Sequence, residues 1–173
     1  MLGRPAYTIG NVQGAGGPAR SRMTLTSHTV RLDISSDFDM LDFVEVVSSH
    51  MSRMVGFDED TLHWISIAVR ESVANAMKHG NKGDLSKRVR VEVTTAPADQ
   101  PSELTIVVQD QGEGFDPEEV ADPLAPENLL KSSGRGIFLI RSFMDDVSHR
   151  RIPEGGMEIR MVKRMASADG AQP

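Results

Sequence analysis

The stretch Glu71-Ser72-Val73-Ala74-Asn75-Ala76-Met77-Lys78-His79-Gly80-Asn81 decides how this chain is read. On a helical wheel of about 100° per residue, Leu62, Ile65, Val69, Val73 and Ala76 cluster on one arc, while Glu71, Asn75, Lys78 and His79 cluster on another. The helix therefore has a core face and a separate polar face. A carboxylate, an amide and an ammonium on successive turns suit a metal–nucleotide site, because an amide oxygen is a hard ligand for Mg²⁺ and an ammonium reaches phosphate. A solvated helix face with a Glu–Lys contact accounts for the same pattern.

Two further motifs follow in order. Asp110-Gln111-Gly112-Glu113-Gly114 begins directly after an alternating run, which puts Asp110 at a strand end. A carboxylate there can accept a hydrogen bond from an exocyclic amine such as adenine N6, and Gly112 and Gly114 let the backbone turn tightly around a ring. An ordinary acidic turn after a strand reads equally well. Gly134-Arg135-Gly136 then opens the apolar run Ile137-Phe138-Leu139-Ile140, where backbone N–H groups at a helix start favour phosphate and Arg135 can add charge. Each motif alone is weak, and a plain turn or a surface arginine explains the third. Their joint order reads as an ATP site. The G-x-x-x-x-G-K-[ST] phosphate loop is absent, which excludes a P-loop NTPase. His28, His50, His63 and His149 lack metal-ligand spacing, and Ser132 and Ser133 lack a nucleophile-elbow context.

Outward from the motifs, Val30, Leu32 and Ile34 alternate as a half-buried strand. A helix is expected from Ser36 or Asp37, with Phe38, Leu41, Val44, Val47 and Met51 on its core face and Gly56 ending it. Asp58 is the expected cap of the second helix, which runs to about His79 and is ended by Gly80. Alternation at Val89–Val93 and Leu104–Val108, joined by a turn containing Pro97 and Pro101, predicts an antiparallel hairpin. Met157, Ile159 and Met161 predict a further strand. Pro117 to Lys131 read as an irregular lid, followed by a helix from Gly136 to about Met144 and a short strand at Val147 to Arg151. Helices and strands together give an α/β layer pattern.

With 173 residues, 39% hydrophobic and 25% charged, the chain fits one domain with a core that needs no staples. There is no cysteine, hence no disulfide framework and no thiolate chemistry. No stretch approaches the roughly 20 apolar residues of a membrane span, and the first residues lack the order of a secretory signal, so a cytoplasmic protein is expected. A formal net charge of -6 and only one Trp, one Tyr and six Phe argue against direct nucleic-acid binding. Residues 1–26, rich in Gly, Ala, Pro and Arg, are expected to form a disordered leader, 27–165 the domain, and 166–173 a flexible tail.

The ordered set Glu-Ser-Val-Ala-Asn-Ala-Met-Lys-His-Gly-Asn, Asp-Gln-Gly-Glu-Gly-Phe-Asp and Ser-Gly-Arg-Gly-Ile-Phe-Leu-Ile resembles the histidine-kinase-like (GHKL) ATPases over roughly Thr29 to Arg164. Within them it is most similar to the anti-sigma factor serine kinases. The resemblance implies a two-layer α/β (α+β) sandwich, with a mixed, largely antiparallel sheet covered on one face by helices that hold ATP and Mg²⁺. It further implies that Asn75 coordinates Mg²⁺, Glu71 is the general base, and Lys78 contacts phosphate, with His79 and Ile137 beside the nucleotide. Asp110 would bind adenine N6, Gly112 and Gly114 would shape its pocket, and Gly134, Arg135 and Gly136 would close over the phosphates. No helix pair with a phosphorylatable His precedes the first strand, unlike a sensor kinase, so the phosphoacceptor is expected on a partner. The implied function is an ATP-dependent serine kinase that phosphorylates a STAS-domain anti-anti-sigma protein and sequesters a sigma factor, as a homodimer. The alternative is a non-catalytic ATP-binding module that controls a partner through lid ordering, and a kinase of another partner-switching pathway is a third possibility.

Overall fold

In β2 (Arg88–Ala96) and β3 (Glu103–Gln109) every second side chain is buried, and the pair is antiparallel with Val91 opposite Val108 and Val93 opposite Ile106. Period-2 alternation means that one face of this hairpin packs and the other faces solvent. The computed structural model describes residues 26–113, 135–153 and 155–166. The remaining elements are β1 (His28–Ser35), α1 (Leu41–Val55), α2 (Glu59–Asn75), α3 (Arg135–Phe143), β4 (Asp146–Arg151) and β5 (Met157–Arg164). Strand order is β1-β2-β3-β5-β4. All four pairings are antiparallel, so the expected mixed, largely antiparallel sheet is antiparallel throughout the described residues.

The helices cover one face. Val44 and Met51 of α1, Ile65, Val69 and Val73 of α2, and Ile140 of α3 join Val89, Val91, Val93, Leu104, Ile106, Val108 and Met161 in one buried cluster. The opposite face carries Arg31, Asp33, Arg90, Glu92, Arg150 and Glu158, paired across strands as Arg31–Glu92, Arg90–Asp33 and Arg150–Glu158. The result is a two-layer α+β sandwich with a charged outer sheet face. Among the described residues no helix is long and apolar enough to cross a membrane.

The start of α1 departs from the expected pattern. Phe38 is 49% exposed and Val47 is only half-buried, whereas Ser48, Ser52 and Val55 are buried beside Leu41, Val44 and Met51. Residues Phe38–Met40 form a separate 3₁₀ turn capped by Asp37, whose carboxylate accepts from Asp39 N–H at 3.1 Å. A 3₁₀ turn advances about 120° per residue, so Phe38 is out of phase with the α-helix behind it. The serines tolerate burial because their hydroxyls are used internally, Ser48 donating to the Glu45 carbonyl and Ser52 to the Ser48 carbonyl.

α2 starts as expected. Asp58 caps it by accepting from Thr61 N–H at 2.7 Å, and Gly56 ends α1 in the left-handed region at φ 88°. Its far end is unusual: beyond Asn75 the chain continues as one π-helical turn, Ala76–Gly80. This wider turn carries Lys78 and His79 and swings Gly80 toward the end of β3.

The burial pattern of β3 predicts a contrast between neighbours. Ile106→Ala, on the core face, should lower unfolding free energy by about 2–5 kcal/mol. Val107→Ala, on the outer face, should cost less than about 1 kcal/mol. Urea unfolding followed by circular dichroism measures both, and equal losses would mean that the faces are misassigned.

Candidate functional site

Glycine contacts bring the three motifs together. A Cβ added at Gly80 would lie 2.3 Å from Asp110 Cγ, and one at Gly112 would lie 2.2 Å from the Gly80 carbonyl oxygen. The end of the α2 segment is thus pressed directly onto the Asp110 loop. On the other side, a Cβ at Gly136 would lie 2.7 Å from Glu71 Oε2 and 3.2 Å from Asn75 Nδ2. The first turn of α3 therefore lies against the carboxylate and amide of α2. A side chain at Gly112 would meet backbone, and one at Gly80 or Gly136 would displace the side chain of Asp110 or Glu71.

Asp110 is 7% exposed. Its Oδ1 accepts from Gly112 N–H at 2.8 Å and from Met157 N–H at 3.2 Å, while its own N–H donates to the Met157 carbonyl at 3.0 Å. Among the described residues no donor reaches Oδ2, which lies against Gly80. Burial pushes the carboxyl above its ordinary value of 3.8, against the opposing pull of the Gly112 and Met157 N–H groups. Such a group is a candidate binding residue on physical grounds, being charged, half-satisfied and set at a strand end.

Glu71 and Asn75 are half-buried, and Lys78 and His79 are exposed one turn further along. Arg135 and Ile137 lie in α3, although their side chains are outside what is described, as are Gly114, Gly134, Ser132, Ser133 and the expected lid at Pro117 to Lys131. Among the described residues no group of three or more His, Cys, Asp or Glu could hold a metal ion. Two of the histidines make other contacts: His28 Nε2 lies 3.0 Å from the Ala98 carbonyl oxygen, and His63 meets Trp64 edge-on. A shallow trough on the outer sheet face, lined by Arg31, Arg90, Val107, Arg150 and Arg160, contains none of the motif residues.

Two positioning residues escaped the sequence reading. Asn81 is fully buried: its Nδ2 donates to Ser36 Oγ at 2.8 Å and to the Arg88 carbonyl at 3.0 Å, while its Oδ1 accepts from Gln111 N–H at 2.7 Å. One amide ties the end of α2 to both β2 and the Asp110 loop. The second is Gly156, at φ 99°, where a Cβ would fall 2.0 Å from the Asp110 carbonyl oxygen. The adjacent pair Gly155-Gly156 just before β5 was the available signal.

The family model for the histidine kinase-like ATPase domain matches residues 39–163. Serine-protein kinase RsbW of Staphylococcus epidermidis is 30% identical over 147 residues, which is 82% of this chain and 89% of that protein. Anti-sigma F factor of Bacillus subtilis is 34% identical over 113 residues, 63% of this chain and 73% of its own length. Serine-protein kinase RsbW of Bacillus velezensis is 25% identical over 151 residues, 82% of this chain and 88% of its own.

The Asp110 environment makes a pH-dependent prediction. A carboxyl whose folded pKa lies above the unfolded value binds its proton more tightly when folded. Its contribution is fully present below the unfolded pKa and is lost as pH rises through the folded one. Without nucleotide, Asp110→Asn should therefore be at least as stable as wild type at pH 7, with the difference vanishing below about pH 4. Urea unfolding across pH measures this, and a variant that is less stable only near neutrality would contradict it.

Proposed function

Because the chain belongs to the histidine kinase-like ATPase family, we propose that it is an ATP-dependent serine-protein kinase and anti-sigma factor. In this reading it transfers phosphate to a serine or threonine of a STAS-domain anti-anti-sigma protein, binds a sigma factor in competition with that protein, and acts as a homodimer. The observation that carries the nucleotide part is the glycine interlock: Gly80 and Gly112 pack about a buried Asp110, and Gly136 lies against Glu71 and Asn75. The relatives described as serine-protein kinase and anti-sigma F factor support the choice of acceptor and partner.

The residues fit the nucleotide and its cation. Asp110 would accept a hydrogen bond from the adenine amine, and Gly112 and Gly114, which carry no side chains, would suit a loop around the ring. Asn75 would hold Mg²⁺ through its amide oxygen, a hard ligand suited to that cation. When bound, Mg²⁺ neutralises charge on the phosphates. Lys78, His79 and Arg135 would add positive or hydrogen-bonding groups for the phosphates, and Gly134, Gly136 and Ile137 would offer backbone N–H groups around the start of α3. Glu71 orients the acceptor hydroxyl and takes its proton. The acceptor oxygen forms the new bond to the γ-phosphorus while the bond to the β–γ bridging oxygen breaks, releasing ADP. Positioning and charge neutralisation supply most of the rate, because phosphoryl transfer leaves the protein little covalent chemistry to do.

The test measures Mg²⁺·ATP binding by calorimetry and γ-phosphate transfer to candidate STAS proteins on the same samples. Glu71→Ala should lower transfer by about 10² to 10⁴-fold with ATP still bound. Asn75→Ala should lose the Mg²⁺ dependence of binding. Undiminished transfer by Glu71→Ala would remove Glu71 as base. Tight ATP binding with no transfer to any STAS protein, but with partner release controlled by nucleotide, would replace the kinase with a nucleotide-dependent switch.

A further inference from the structure

Trp64 is the chain's one tryptophan, and none of the motifs uses it. It lies on α2, seven residues before Glu71 and eleven before Asn75, so all three side chains leave the helix on nearly the same face. On α3, Gly136, Ile140 and Phe143 share a face in the same way. The two faces meet antiparallel. Gly136 lies against Glu71 and Asn75 at one end, and Phe143 stacks on Trp64 at the other, with ring centroids 3.7 Å apart and planes 8° from parallel. Between them Ile140 is fully buried.

The helix pair is therefore thin at the nucleotide end and thick at the other. A near-parallel, closely superposed ring pair is less favoured electrostatically than an offset or edge-on one. Its geometry is thus imposed by the helices, and the two rings act as a spacer of fixed thickness. Ile140, locked in the core, is the pivot about which that spacer sets the tilt of α3. Gly136 lies about 10 Å along the helix from Phe143, so a change in spacing at the stack appears at the contact with Glu71 and Asn75.

We propose that the Trp64–Phe143 stack is a positioning device for the nucleotide site, holding the start of α3 at the depth where its backbone can meet phosphate. The proposal rests on the nucleotide-site reading above. Both rings are half-buried and neither belongs to the main core cluster, so the stack can change without dismantling the sandwich. It also places a natural fluorophore on the helix pair that carries the site.

The experiment compares Mg²⁺·ATP affinity, by calorimetry, in wild type, Trp64→Leu, Phe143→Leu and the ring-preserving Trp64→Phe and Phe143→Tyr. Melting curves without nucleotide are recorded on every variant. The leucine variants should bind about tenfold more weakly, and the ring-preserving variants within about twofold of wild type. In wild type, Trp64 emission should respond to ATP. Two leucine substitutions guard against one that fails to fold. Leucine variants that melt lower yet bind ATP like wild type would reduce the stack to ordinary packing, and loss of affinity in the ring-preserving pair as well would also overturn the proposal. Wild type that binds no nucleotide would instead sink the site reading, and this inference with it.

Discussion

The buried carboxylate of Asp110 is the constraint around which the rest of the site is arranged. A carboxylate removed from water must be matched by donors or by a ligand, because desolvation alone favours its neutral form. Two backbone N–H groups, from Gly112 and Met157, meet one oxygen. They come from different parts of the chain, the turn after β3 and the first residue of β5, so the carboxylate also joins neighbouring strands at the point where the sheet ends. Gly80 and Gly156 complete the enclosure with backbone alone. Larger residues at either position would displace the very group they surround.

The two-layer sandwich serves this arrangement. The antiparallel sheet sets Asp110 at the end of β3, and the helix layer brings α2 across it. The π-helical turn at Ala76–Gly80 and the buried Asn81 then bend the chain from helix to loop so that Gly80 reaches the carboxylate. On the other flank of α2, α3 approaches closely at Gly136 because that residue carries no side chain. Hydrophobic burial makes the scaffold, and backbone contacts at glycines decide how near its parts can come.

Much of this was legible in the sequence because it depends on local periodicity. The strands at Val89–Val93, Leu104–Val108 and Met157–Met161, the caps at Asp58 and Gly56, and the two faces of α2 follow from side-chain spacing alone. Phe38 differs because a 3₁₀ turn precedes α1, and Val47 because the core positions next to it are held by Ser48 and Ser52, whose polarity hides them from a hydrophobic pattern, while Leu41, Val44 and Met51 are buried as the spacing predicts. Asn81 closes the first motif and Gly156 belongs to a glycine pair, but the sequence assigns neither a role. Their importance lies in contacts that only the fold makes, of Asn81 with Gln111 and Ser36 and of Gly156 with Asp110, and neither sits in a periodic pattern. The motif residues were recognised as a set, but their geometric relation, Gly80 on Asp110 and Gly136 on Glu71, needed the fold.

In the proposed function the three motifs form one nucleotide site through the contact of Gly80 with Asp110. Calorimetric titration of Mg²⁺·ATP into Gly80→Ala, with circular dichroism to establish that it folds, tests it most directly. The added methyl must displace the Asp110 side chain or the loop, so the folded variant should lose at least about tenfold in affinity, roughly 1.4 kcal/mol. A folded Gly80→Ala protein that binds ATP as tightly as wild type would contradict it.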